Sequence, residues 1–76
     1  MNLEDILVKI TALKEKHVTA RIDFKLDESD DFVDLYVIAY ENEEPVADDL
    51  LFSIQEPTKS ELEELHLIVE GLKNVI

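Results

Sequence analysis

Apolar positions along the chain fall into five blocks with two different periods. Leu3, Ile6, Leu7, Ile10 and Leu13 recur at steps of three and four, which predicts a helix over 2–17. Asn2 is its candidate N-cap, with Asp5 three residues on, and Lys14, Lys16 and His17 fall in its last turn, where positive charge suits the helix dipole. Residues 18–26 alternate instead. Val18, Ala20, Ile22, Phe24 and Leu26 take one face, and Thr19, Arg21, Asp23 and Lys25 the other, which predicts a half-buried strand. Residues 32–40 predict a second strand with a different pattern. Val33, Leu35, Val37 and Ala39 suit a core face, yet Phe32, Tyr36, Ile38 and Tyr40 share the other face with Asp34. A strand apolar on both faces belongs in the middle of a sheet. A third strand is predicted over 50–55, with Leu50, Phe52 and Ile54 on one side. Pro57 precedes the last helix, and Thr58 and Glu61 match a capping box. Leu62, Leu65, Val69, Leu72 and Ile76 form its stripe, which Leu67, Ile68 and Val75 widen, and Gly71 leaves room for a close helix approach.

The connections are short. Asp27–Asp31 reads as a turn by composition, and 41–49 (ENEEPVADD) as a second acidic loop. Short loops between three strands favour an antiparallel meander. The predicted fold is therefore α+β, one small domain over 1–76 in the order α-β-β-β-α, with a three-stranded antiparallel sheet packed by two helices. Val18, Ile22, Phe24, Val33, Leu35, Val37, Leu50 and Phe52 are the expected sheet contacts of the core. The helices either share that face, leaving the Phe32, Tyr36, Ile38 and Tyr40 face open, or cover one side of the sheet each.

Charge changes this picture more than composition does. The 76 residues hold 7 Lys+Arg against 19 Asp+Glu, a formal net charge of −12, with 46% apolar residues and no cysteine. That apolar content separates the chain from a disordered acidic tail, and the lack of cysteine removes disulfides and Cys-based zinc sites. The excess is concentrated: 26–58 carries eleven acids and no base. They are Asp27, Glu28, Asp30, Asp31, Asp34, Glu41, Glu43, Glu44, Asp48, Asp49 and Glu56. Such a surface repels nucleic acid and anionic lipid and attracts basic protein surfaces. No apolar run is long enough to span a membrane, and Glu4 and Asp5 stand where a signal peptide would be basic, so a cytoplasmic location is expected.

Candidate chemistry is sparse. Asp27, Ser29 and Asp31 have the 1-3-5 spacing of a calcium loop, but Phe32 stands where that loop needs Gly and Ile38 where it needs Glu. His17 and His66 are the two histidines, and Ser29, Ser53 and Ser60 the serines; none falls in a nucleophile or metal-hydrolase motif. The expectation is a non-enzyme without metal or cofactor. Tyr36 and Tyr40, with Phe32, step by four along one strand face and suit a protein interface. No base interrupts that strand, so base stacking is not expected.

The opening Met1-Asn2-x-x-Asp5-Ile6-Leu7, the first strand from Val18 and the acidic connections between strands resemble the small phage-encoded anti-CRISPR proteins that inhibit a CRISPR nuclease. The resemblance implies a helix, three antiparallel strands and C-terminal helical structure. It also implies DNA mimicry, in which acidic residues of the strand loops meet arginines that read the target. Carried onto this sequence, those residues are Asp27, Glu28, Asp30 and Asp31 in one connection and Glu41, Glu43, Glu44, Asp48 and Asp49 in the other. Members of that group continue with a further acidic helix beyond the point matching Ile76. Glu28-Ser29-Asp30, an apolar strand and then Ala39-Tyr40-Glu41 also resemble phage inhibitors of uracil-DNA glycosylase, which are likewise small acidic DNA mimics.

The leading expectation is an acidic inhibitor that occupies the DNA-binding surface of a host enzyme, a CRISPR nuclease or a DNA repair enzyme. Its contacts would be the nine loop acids, Asp34 and the Tyr36/Tyr40 face. The alternatives are a homodimeric adaptor, pairing through the last helix or the aromatic face, and an immunity protein for a basic nuclease toxin.

Overall fold

The strand that is apolar on both faces does lie in the middle of the sheet. A computed structural model of the protein describes residues 3–75 in the order α1 (Leu3–Lys16), β1 (Arg21–Glu28), β2 (Phe32–Glu41), β3 (Glu44–Gln55) and α2 (Lys59–Val75). The sheet order is β1-β2-β3 and both pairings are antiparallel. Asn2 and Ile76, assigned above to a cap and to the final stripe, lie outside the described residues.

Both helices cover the same face. Ile6, Ile10 and Leu13 of α1 and Leu65, Val69 and Leu72 of α2 join Phe24, Val33, Leu35, Val37, Ala39 and Leu51 in one buried cluster. α1 lies over β3 and β2, and α2 lies over β1. Leu65, Val69 and Leu72 of the predicted α2 stripe are thus spent on the protein's own core. α2 starts as its sequence predicts: the Thr58 amide donates to Glu61 Oε1 (3.1 Å) and the Glu61 amide to Thr58 Oγ1 (3.2 Å). Gly71 does not serve a close approach, since a Cβ added there meets nothing within 4 Å, and Leu67, at 73% exposure, does not widen the core.

The strand boundaries depart from the hydrophobic pattern in three places. Val18 is 84% exposed, because the chain leaves α1 through a turn closed by the Ala20 amide donating to His17 O (3.0 Å), and β1 begins only at Arg21. At its other end β1 continues through Asp27 and Glu28, which pair with Asp34 and Val33, so the tip of the first connection is Asp30-Asp31. The largest departure is 41–49, which is no loop. Asn42 and Glu43 alone form the turn, with φ of 55° and 65°, and Glu41 pairs with Glu44. Two successive residues at positive φ are the signature of the mirror-image turn that matches strand twist. Pro45 then sits in an edge strand beside a bulge, a setting that tolerates a missing N–H.

β3 carries two such register shifts. Val46 is the extra residue at the first and Leu51 at the second, since Tyr36 faces Leu50 while Leu35 faces Phe52. The second shift turns Leu51 into the core, at 7% exposure, and leaves Leu50 at 39%. The expected core position of Leu50 therefore belongs to its neighbour, because a bulge resets the in–out alternation. No helix among the described residues is long and apolar enough to cross a membrane.

Two stability measurements check this account. Leu51→Ala should cost about 2–4 kcal/mol in urea unfolding, while Leu50→Ala costs under ~1 kcal/mol; equal costs would remove the bulge. Glu43→Gly should stabilise the fold by about 0.5–1 kcal/mol, because glycine relieves the left-handed strain at the second turn position by more than it adds in unfolded-chain entropy.

Candidate interaction surface

One-sided packing leaves the other face of the sheet open. Residues paired across antiparallel strands point the same way, so the register fixes what that face contains. Its central column is Phe32, Asp34, Tyr36, Ile38 and Tyr40 of β2. Arg21, Asp23, Lys25 and Asp27 of β1 stand opposite Tyr40, Ile38, Tyr36 and Asp34 on one side. Gln55, Ser53, Leu50, Asp48 and Pro45 of β3 stand on the other. Phe32 is 46% exposed, and Asp34, Tyr36, Ile38 and Tyr40 are half-buried by their neighbours rather than covered by a helix.

The register adds to the reading of this face what the strand alone does not show. β2 itself has no base, but β1 supplies two. The Arg21 guanidinium carbon lies 4.6 Å from the Tyr40 ring centroid and its Nη1 is 3.3 Å from Asp23 Oδ2, while Lys25 stands opposite Tyr36. Asp23, Asp27, Asp34 and Asp48 outnumber these two bases on the same face. Asp27 and Asp34 are direct cross-strand partners, a like-charge pairing that costs stability. Asp34 Oδ1 accepts a hydrogen bond from Ser53 Oγ at 2.5 Å, which offsets part of that cost.

The remaining predicted acids separate into groups. The two turns of a meander lie at opposite ends of the middle strand, and the ten residues of β2 span about 33 Å. Asp27, Glu28, Asp30, Asp31 and Asp34 therefore gather at one end. Glu56, which the sequence placed in the acidic run but not among the contact residues, joins them. Its amide donates to Asp31 O at 2.6 Å, and the Ser29 hydroxyl and amide both donate to Phe32 O (2.7 and 3.0 Å). The first bond ties the connection leading into α2 to the β1–β2 turn, and the Ser29 bonds close that turn. His66 Nε2 stands 3.4 Å from Glu28 Oε1. Glu41, Glu43 and Glu44 lie at the far end, where Thr19 Oγ1 donates to Glu41 Oε1 (3.2 Å). Asp48 and Asp49 fall between, lining a depression with Lys9, Lys16 and His17 of the α1 side. The two predicted acidic loops are thus two sites, and α1 brings bases beside the second.

Among the described residues no three His, Cys, Asp or Glu side chains converge as a metal site would require. No known protein-family model, curated protein or solved structure matches this chain.

The crowding of carboxylates at the Asp27–Asp34 end has a cost that salt should reveal. Asp30→Asn/Asp31→Asn should raise unfolding free energy by about 0.5–1 kcal/mol at low ionic strength, and ~1 M salt should abolish the gain. Denaturant unfolding at the two salt levels reads it directly.

Proposed function

We propose that the protein is an acidic inhibitor, cytoplasmic in action, that occupies the cationic nucleic-acid groove of another protein. It works by binding and catalyses nothing. The observation that carries this reading is the acidic end of the sheet: five of the predicted carboxylates and Glu56 sit on one hairpin end held by backbone hydrogen bonds, and no lysine or arginine lies in 26–58. A rigid set of carboxylates loses little conformational entropy on binding and presents charge where Lys and Arg of a groove would otherwise meet phosphate. The partly exposed Phe32 and Tyr36 continue from that end onto the open face and offer apolar area beside the charge. Within this reading Asp27, Glu28, Asp30, Asp31 and Asp34 make the primary contact. Glu41, Glu43 and Glu44, a strand length away, engage only a groove long enough to reach them.

The resemblance to anti-CRISPR proteins selects the target class to be tried first, a CRISPR nuclease loaded with its guide RNA, with uracil-DNA glycosylase second. Binding should be competitive with duplex DNA and should weaken steeply between about 50 and 500 mM salt. Asp27→Asn/Asp30→Asn/Asp31→Asn should weaken it by about tenfold or more and flatten its salt dependence, while Glu63→Gln/Glu70→Gln on α2 changes neither. Titration calorimetry across that salt range decides it: affinity indifferent to salt, or simultaneous binding of DNA, would falsify the groove-filling reading.

A further inference from the structure

A three-stranded sheet has two edges, and this protein treats them differently. β3 is an edge broken by two register shifts and by Pro45. It carries Glu44, Asp48 and Asp49 with no base of its own. Lys9 Nζ reaches across from α1 to donate to Leu50 O at 2.9 Å. Bulges, proline, like charge and a covering side chain are the devices that stop a further strand from adding to an edge. β1 has none of the first three. It pairs with β2 without a register shift over all eight of its residues.

The outward-facing groups of β1 can be identified. The Phe24 amide donates to Oδ1 of Asp23, its own neighbour, at 2.8 Å. It is therefore turned away from β2, and with the two-residue alternation of an antiparallel ladder Ile22 and Leu26 present their backbone groups on the same free side. The charges complete the pattern. Reading Arg21-Ile22-Asp23-Phe24-Lys25-Leu26-Asp27 outward from Phe24, each charge is matched at the same distance by its opposite: Asp23 by Lys25, and Arg21 by Asp27. A segment with that antisymmetry is complementary to itself when run antiparallel.

We propose that β1 is a self-association edge, docking on β1 of a second copy about a two-fold axis through Phe24 to make a continuous six-stranded sheet. Phe24 then pairs with Phe24 and Ile22 with Leu26, each exchanging outward N–H and C=O groups, which is the bonding phase the Phe24 amide already has. On the open face Asp23 stands opposite Lys25 and Arg21 opposite Asp27, each pair occurring twice. Asp23 exchanges the Phe24 amide for a lysine. A shift of one residue in either direction would set like charges against each other, or mix the two faces, so the charges select this register as well as this partner. β1 is also the one strand of the three that carries bases, Arg21 and Lys25 against Asp23, Asp27 and Glu28, in a chain of net charge −12. This inference is independent of the groove-filling reading.

Sedimentation from ~1 µM to ~1 mM should show a concentration-dependent shift from 8.8 kDa to twice that mass. Over the same range the amide resonances of Ile22, Phe24 and Leu26 should move. Lys25→Glu should weaken association by about tenfold or more, and Asp23→Lys/Lys25→Glu, which restores the antisymmetry with the signs exchanged, should recover it. Circular dichroism confirms that each variant is folded. A chain that stays at 8.8 kDa throughout overturns the proposal. So does a dimer that is indifferent to Lys25→Glu, fails to recover in the double variant, or shifts resonances of β3 instead.

Discussion

Everything in this molecule depends on one strand being buried from one side. Val33, Leu35, Val37 and Ala39 of β2 are almost wholly removed from water, and both helices spend their apolar stripes on achieving it. A domain this small has little core to divide, so covering both faces of the sheet with one helix each would halve the depth of burial on either. The consequence is an open face that must live in water while still carrying Phe32, Tyr36, Ile38 and Tyr40. The side chains found there are suited to that. Tyrosine keeps its hydroxyl wet, Arg21 lies over the Tyr40 ring, and Ser53 satisfies Asp34.

The same constraint decides where charge can be tolerated. Eleven carboxylates without a local base would raise the energy of any fold that brought them together in low dielectric. They sit instead on turn tips, on the open face and along an edge, where water screens them. The meander then separates them into two ends, because its successive turns lie a strand length apart. A net charge spread evenly would keep the protein soluble and do little more. Fixing the larger group on a hairpin end that is tied to the start of α2 gives it a defined shape, which is what recognition of a basic groove requires.

The element order, the central position of β2, the capping box of α2 and the existence of an aromatic face were legible in the pattern of residues, because each rests on local spacing. Leu51, Val18 and the strand over 44–49 were not. Alternation continues through Val18 although the chain is still turning, and nothing in Leu50-Leu51 says which of two identical side chains a bulge will turn inward. Acids and a proline in ENEEPVADD weigh against a strand, yet an edge with one wet face accepts them. Of the candidate surface, the acids and tyrosines were legible but their grouping was not. Lys25 opposite Tyr36 and Glu56 beside Asp31 are facts of register and of tertiary hydrogen bonding, which no single segment encodes.

Self-pairing through β1 and the proposed docking of the acidic end in a basic groove look opposed, since a second copy brings as much negative charge again. The geometry keeps them apart. A two-fold axis through Phe24 runs the strands in opposite directions, so the acidic Asp27–Asp34 end of one copy lies beside the start of the other's β1. The residues there are His17, Val18, Thr19 and Ala20, with Glu41 held beside Thr19 one strand further in, on β2. The two acidic ends come to rest at opposite corners of the joined sheet, each with its open face on the same side. Over distances beyond the ~8 Å reach of unscreened charge at physiological salt, repulsion between those corners is weak. The cross-strand pairs at the axis act at contact distance. In the proposed pairing β1 therefore meets its copy through opposite charges, while the larger acidic group of each copy stays away from the axis.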